Sequence, residues 1–375
     1  MSGLLTGKPQ LNRFINRRLI LERVRRGGRI SRADLAKQTE IRPPTVSAVI
    51  RELITEGLVE EVGPGQTSGG RAPRMIALAR QKPCALGFEL GAKQIVAALC
   101  DLSGAVTEHI QIPTGSMTPA EAIENLHDVG SELLARRQCE WSSLRGVGVA
   151  VTGHLDVSRG HLRWSQSFQW RDVPLKSLCE QRWDVPTDVV NDSHAGAMAV
   201  QMFELKQPVD NLVFMYLCFH NELHEHVGIG TGIVVHGELY HGEFGAAGEI
   251  TNPIAHPVAN LRATGTRCAN VAEFVAAMQQ DDPAAQAAIV RVGQQMEALI
   301  VHVVNLLEPG VFVISSDSPP LCDALISQFQ RMLQEKRLAY EAGKTQLLSS
   351  TLGACGVAQG AVVPTLQRVF RLPQW

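Results

Sequence analysis

Residues 31–62 read SRADLAKQTEIRPPTVSAVIRELITEGLVEEV, and this stretch decides the architecture of the amino-terminal end. Ser31 and Asp34 form a capping box, a hydroxyl N-cap and an acid at N3 that satisfy orphan amides of a helix. Leu35, Ala36 and Ile41 add apolar residues. Pro43 and Pro44 close that helix and open the next, because proline is tolerated in a first helical turn. Val46, Val49, Ile50, Leu53 and Ile54 then fall on one helical face, which leaves Thr45, Ser47, Ala48 and Arg51 on the other. Two short helices at a tight turn, the second with small polar residues and Arg on its free face, follow helix-turn-helix logic. Leu58 to Val62 reads as a strand, Gly63 to Gly70 as a glycine-rich hairpin tip, and Met75 to Leu78 as the return strand. Together they make a wing.

Charge placement agrees. Residues 1–80 hold 15 Lys and Arg against 7 Asp and Glu, while the other 295 hold 20 against 30. A basic head on an acidic body predicts that the head meets a polyanion. The first helix contributes Arg13, Arg17, Arg18, Arg23, Arg25 and Arg26 to that balance. A small winged domain that serves protein contacts is the bland alternative.

A chain of 375 residues, 45 % of them hydrophobic, is long enough for two or three domains with sizeable cores. No uninterrupted apolar run reaches the ~20 residues that span a bilayer, and no signal-peptide pattern opens the chain. Eight cysteines are scattered without a Cys-x-x-Cys pair, as expected of reduced thiols in a cytoplasmic protein.

Beyond the connector at 79–84, strands are predicted at Ala85 to Leu90, Gln94 to Asp101 and Ala105 to Ile112. A helix over 118–137 and strands at Gly146 to Val151 and Val185 to Val190 follow, then a helix from about Ala195 to Leu205. The second half repeats the plan, with strands at Leu212 to Cys218, Gly228 to Val235 and Val311 to Ile314. Helices are predicted at 283–307, Leu321 to Lys336 and Gly356 to Phe370. Alternating strands and helices give an α/β class with buried sheets, and two halves of similar plan give two lobes around a cleft.

The run Gly228-Ile229-Gly230-Thr231-Gly232-Ile233, then Gly237-Glu238-Leu239-Tyr240, Gly242 and Gly245-Ala246-Ala247-Gly248-Glu249-Ile250 resembles the glycine-rich signature of the ROK family (repressors, open reading frames and sugar kinases). Val190-Asn191-Asp192 with Ala195 and Ala197 resembles that family's sugar-site Asn-Asp and helix. Gly69 to Pro73 resembles the linker of its repressors, and Gly356 to Ala361 the start of its carboxy-terminal helix. The resemblance implies a winged helix-turn-helix and linker over 1–80, then a two-lobed actin/hexokinase-like (ribonuclease H-like) domain. One lobe would span 81–196, joined by 356–375, and the other 197–355.

Departures from the family matter as much. Its kinases carry Asp-x-Gly-Gly-Thr where this chain has Glu89-Leu90-Gly91-Ala92-Lys93. A phosphate cradle needs backbone amides at close range, which a side chain at Ala92 obstructs. No cofactor and no catalytic residue is expected. The family's zinc pattern is also missing: Asn252 stands at its His position, and only Cys268 remains of its cysteine cluster. One thiolate does not hold a tetrahedral zinc, so no metal is expected, even with His256 nearby.

The resemblance implies a sugar site of Asn191, Asp192, Glu249, Asn252 and Glu273, with Asp192 accepting a hydrogen bond instead of acting as a base. An empty, vestigial cleft is the alternative. Weaker signals are His220, His224 and His226, whose spacing suits a metal but also an ordinary polar loop, and Trp164, Phe168 and Trp170, read as packing aromatics. The sequence is therefore read as a transcriptional regulator of carbohydrate genes, a repressor. A homodimer or tetramer would bind palindromic double-stranded DNA through Arg42, Thr45, Ser47 and Arg51, aided by Arg71 and Arg74. A sugar or sugar-phosphate effector would occupy the interlobe cleft. The rivals are a sugar kinase that keeps a DNA-binding head, and an effector-independent DNA binder.

Overall fold

The structure, a computed structural model, describes residues 9–65, 72–80, 83–91, 93–207, 209–219, 226–250, 254, 256–258, 268–335 and 344–370. The head begins with helix α1 (Pro9–Gly27), short strand β1 (Ile30–Ser31), α2 (Arg32–Thr39) and α3 (Pro43–Thr55). The wing strands β2 (Val59–Pro64) and β3 (Arg74–Leu78) complete a sheet of order β1-β3-β2. Ser31 caps α2 by accepting the Asp34 amide at 3.1 Å. The return half of the box differs from expectation: Asp34 Oδ2 accepts the Ser31 hydroxyl at 2.7 Å. The full reciprocal box occurs at Thr118 and Glu121 instead, where the longer acid reaches back to the amide. Glu40, at φ 58°, turns the chain between α2 and α3. Val46, Val49, Ile50 and Leu53 of α3 are buried against Ile20, Leu21, Val24 and Leu35, as their spacing predicts.

The first lobe is a sheet of order β11-β7-β4-β5-β6, from β4 (Ala85–Leu90), β5 (Gln94–Cys100), β6 (Val106–Pro113), β7 (Gly146–Val151) and β11 (Thr187–Asn191). Helices α4 (Pro119–Arg136) and α5 (Leu175–Trp183) cover it. A small sheet of β8 (His154–Asp156), β9 (His161–Ser165) and β10 (Trp170–Val173) follows β7. Neither that sheet nor α5 is foreseen by periodicity, because their strands are too short to show a period. The aromatics there do pack: Phe168 stacks on Trp170 at 4.6 Å, and the Trp170 indole donates to Met117 O at 2.9 Å.

The second lobe has order β14-β13-β12-β15-β16, from β12 (Leu212–Cys218), β13 (Gly228–Val235), β14 (Glu238–Leu239), β15 (Val311–Ser316) and β16 (Gln346–Ser349). In each lobe a central strand pairs antiparallel with the next strand in sequence and parallel with the fourth, so the two sheets share one plan. Helices α7 (Val271–Gln279), α8 (Pro283–Leu307) and α9 (Pro319–Glu335) pack on this sheet. By length and composition α8 passes as a membrane-crossing helix. Here Ala288, Val292, Met296 and Ile300 are buried in the lobe core.

Helix α6 (Asp192–Ala199), continued by a π turn (Val200–Glu204), joins the lobes. It starts earlier than expected because Asn191 caps it. The chain returns through α10 (Gly356–Ala361) and α11 (Val363–Phe370), two helices where the sequence suggests one. Helix α10 lies backbone to backbone on lobe 1: a Cβ at Gly148 would sit 1.9 Å from Ala361 O. Arg368 holds Asp188 at 2.6 Å, and the Arg25 guanidinium lies over the Phe370 ring at 5.7 Å. One apolar cluster runs from Ile20, Leu35 and Ile50 through Ala85, Val96 and Ala98 to Leu366 and Phe370. The head is thus packed on lobe 1.

Candidate functional site

Two sites stand out, one on the head and one between the lobes. On the head, Arg42 and Arg51 are exposed, with Thr45 and Ser47 half-exposed between them. Arg51 Nε lies 3.4 Å from Ser47 O and meets no carboxylate among the described residues. Arg42 is the N-cap of α3 and makes no side-chain capping bond. A crevice of ≈ 670 Å³ between α2 and α3 is lined by Arg32, Lys37, Ile41, Arg42 and Ser47. Cations on a solvated helix face whose other face is core suit a polyanion.

The basic residues behind that face are less available than composition suggests. Arg13 binds Glu52 at 2.6 Å, Arg17 grips Glu56 with both prongs, and Arg25 and Arg26 share Glu22. Four of the six arginines counted toward DNA are therefore held in ion pairs within the head. Arg74 is paired as well: Glu61 takes Arg74 at 2.7 Å and Arg32 at 2.7 Å. The Arg74 bond, then the Arg32 bond, hold the Glu61 carboxyl below its usual range. Arg71 lies outside the described residues.

The interlobe site gathers groups from both sheets. Asn191 is committed to structure: its Oδ1 accepts the Ser193 amide at 2.9 Å and the His194 amide at 3.3 Å, and its Nδ2 donates to Gly153 O at 3.2 Å. Asp192 accepts the Thr152 hydroxyl at 2.7 Å and the Ser193 amide at 2.7 Å. Glu249, exposed at the rim, is drawn upward by partial desolvation and Asp192, while His154 pulls it down. From lobe 2, Asp317 accepts the Phe219 amide at 2.8 Å and the Cys218 thiol at 3.3 Å. Glu89 of β4 feels both Asp192 and Asp317, and desolvation with their charges pushes its carboxyl up to about 8. Burial likewise raises Tyr216 and Cys218.

Compared with known proteins, residues 85–270 match the ROK family and residues 13–60 a winged helix-turn-helix DNA-binding family. The chain carries a ROK family domain behind a winged helix-turn-helix. The xylose repressor of Bacillus subtilis is 28 % identical over 240 residues, a match that takes in 63 % of this chain and 59 % of the repressor. A solved ROK family transcriptional regulator, a homologue of the Escherichia coli MLC protein, superposes with TM-score 0.74 at 19 % identity. That likeness covers 95 % of this chain and 96 % of the regulator. A ROK family glucokinase from Streptomyces griseus, solved with glucose and AMPPNP, has TM-score 0.61 at 21 % identity over 74 % of this chain and 97 % of the kinase. The fold is that of a winged head on a two-lobed, hexokinase-like ROK domain, shared by regulators and kinases.

Within the ROK domain the residues read from the sequence do not all converge. Asp192 and Glu249 face one another electrostatically, but Glu273 does not join them on any interaction seen here. Its oxygens accept the Ala269 amide at 2.8 Å and the Asn270 side chain at 3.1 Å, so it caps α7. These bonds tie Glu273 to its own helix, and the reason is local: an acid at N3 is the natural partner of an Asn N-cap. Asn252, Ala92, His220 and His224 lie outside the described residues. His226 is exposed.

Sequence reasoning missed Asp317 and the pair His194 and His241. Asp317 sits just past the carboxyl end of β15, where open α/β sheets place ligands. His194 and His241 meet edge-on at 5.1 Å, and desolvation followed by His241 pushes His194 down to about 4. Their Nδ1 atoms and the Thr231 hydroxyl have no partner among the described residues. The signature loop reaches this spot because Gly248, at φ 89°, carries no Cβ; one would sit 2.3 Å from Thr231 O.

Proposed function

We propose that the protein is a sequence-specific DNA-binding transcriptional regulator, a repressor of carbohydrate genes, whose ROK domain senses a sugar and carries out no phosphoryl transfer. The observation that carries this is the free polar face of α3, where Arg42 and Arg51 stand exposed above a buried apolar face. The xylose repressor and the solved ROK regulator support the same reading. In this reading residues 1–80 with their linker bind DNA, 81–196 with 356–375 and 197–355 form the lobes, and two copies meet a palindromic site. Asp192 and Glu249 contact the effector, and Asn191 holds Asp192 in place. Arg71 and Arg74 help at the operator, Arg74 after release from Glu61.

The kinase reading is disfavoured on charge. In place of the family's Asp, this chain has Glu89, and the carboxylates of Asp192 and Asp317 that act on it oppose a triphosphate. The test has two arms. Purified protein should retard DNA from its own upstream region and release it with a sugar, and it should turn over no ATP in the presence of any hexose or pentose. DNA-independent phosphorylation of a sugar overturns the proposal.

A further inference from the structure

Helix α4 carries Glu124, His127 and Asp128 at i, i+3 and i+4, so the three stand on one face. Each offers a ligand atom, and those atoms lie within 4.8 Å of one another, the one such group of three among the described residues. The spacing of His127 and Asp128 is the informative one: Nδ1 and Oδ1 are 3.5 Å apart. That is long for a hydrogen bond, and the ring nitrogen has no partner among the described residues. It is close to the separation of two ligands on a tetrahedral ion, about 3.4 Å for metal bonds of about 2.1 Å.

The setting distinguishes this group from an ordinary acidic patch. Glu124 and Asp128 reach into solvent, but the His127 side chain is only 20 % exposed and its Nδ1 is buried. The ring is also held in place, stacked on Trp141 at 5.3 Å and 7°. Trp141 is fixed in turn: Gly130 leaves room for its ring against α4, and its indole donates to Ser131 Oγ at 3.1 Å. A buried, immobile nitrogen without a bond costs free energy unless a ligand meets it. Arg182 of α5 donates to both Glu124 oxygens, at 2.8 and 2.9 Å. A carboxylate has about four lone-pair sites, so this fork leaves room for an ion. It also aims the carboxylate, as the hydrogen-bonded outer partners of metal ligands do.

We propose that Glu124, His127 and Asp128 form a site for a divalent transition-metal ion. One imidazole with two carboxylates suits zinc, nickel or copper(II) over magnesium and calcium, which prefer shells made wholly of oxygen. The Arg182 charge opposes the ion and keeps its affinity moderate. Three protein ligands leave a fourth position open to solvent. The site belongs to a different part of the chain from Asn252 and Cys268, where the family's zinc pattern is missing, and it stands independently of the effector reading.

Trp141 supplies the readout. A copper(II) ion on His127 lies beside the indole stacked on that ring, and Trp183 stacks on Trp141 at 5.2 Å. The experiment strips the full chain with a chelator, titrates it with copper(II) and follows tryptophan fluorescence. Zinc, nickel and magnesium binding are then measured by calorimetry. Copper(II) should quench in one saturable step that excess zinc reverses. Asp128→Asn and Glu124→Gln, both at exposed positions, should each weaken zinc at least about tenfold, the low end even for outer-shell changes. His127→Gln should remove the saturable quench. Melting points near the parent's report that the variants are folded. Quenching that is unchanged in Asp128→Asn and His127→Gln, or lost instead in His224→Gln, overturns the site. So does magnesium that binds as tightly as zinc, or the absence of saturable binding by any of these ions.

Discussion

Arg42, Thr45, Ser47 and Arg51 come from ten consecutive residues on one helix, whereas Glu89, Asp192, Glu249 and Asp317 come from four segments spread over more than 200 residues. On the head, the side chains that matter are exposed and carry few bonds, so each acts nearly alone. In the cleft every carboxyl is defined by its neighbours: Thr152 and Ser193 orient Asp192, Phe219 orients Asp317, and both set the charge state of Glu89. Substitutions on the head should therefore act additively, and those in the cleft as a unit.

The largest test of that contrast is Asp192→Asn. It should weaken the effector by roughly a hundredfold, the scale of a lost charge-assisted hydrogen bond, while operator affinity in a binding titration stays unchanged. A parallel loss of DNA binding would mean that the two sites are not separable.

Arg51→Ala comes next. Operator affinity should fall by roughly 1–3 kcal/mol if Arg51 reads a base, with discrimination at one position relaxed. The effector titration should not move. Equal losses on specific and random DNA would instead place Arg51 on the phosphates.

Stability should also titrate more through the buried cleft groups than through the exposed ion pairs of the head. His194 is neutral in the fold down to about 4, while an unfolded histidine takes a proton near 6.5, so acid between these values favours the unfolded chain. Glu89 stays protonated in the fold up to about 8, while an unfolded Glu ionises near 4.5, so stability falls across that window as pH rises. Each effect is at most a few kcal/mol, about 1.4 kcal/mol for each unit between the folded and unfolded pKa values. Thermal melts over pH should show His194→Gln relieving the acid loss and Glu89→Gln the alkaline loss. Unchanged slopes in both variants would show that neither group is held out of solvent.

The smallest expected effect lies on the wing. Glu61→Gln frees Arg74 and Arg32 from their exposed pair. Exposed ion pairs add little to stability, so the melting point should stay put, while the salt dependence of DNA binding steepens by up to about one unit of slope. No change in slope would leave Arg74 out of the DNA interface.

Much of the head was legible because its information is local. The spacing of Val46, Val49, Ile50 and Leu53 names both faces of α3 at once, and the two prolines mark where it starts. Charge counting misled in one respect: four arginines of α1 are drawn into ion pairs with Glu22, Glu52 and Glu56. Glu52 and Glu56 lie 39 residues from their partners, beyond what sequence spacing can pair. The cleft was legible only in outline. Asn191 and Asp192 were marked by their place at a strand end, but Glu273 turned out to cap its own helix, and Asp317 carried no local signal.

The sequence alone determined the winged head, the alternation of strands and helices, the repetition of plan between the halves and the likeness of its glycine-rich run to one family. Each of these rests on interactions between residues a few positions apart, or on residue types whose backbone geometry is restrictive. Only the tertiary structure decided which charges are spent within the protein and which carboxyls share a cleft. It also decided that the head packs on lobe 1 through α11. Those outcomes depend on distances between remote segments. Electrostatics falls off over a few ångströms inside a protein, so a carboxyl at Glu89 takes its character from Asp192 and Asp317 only once β4, α6 and β15 have been brought together.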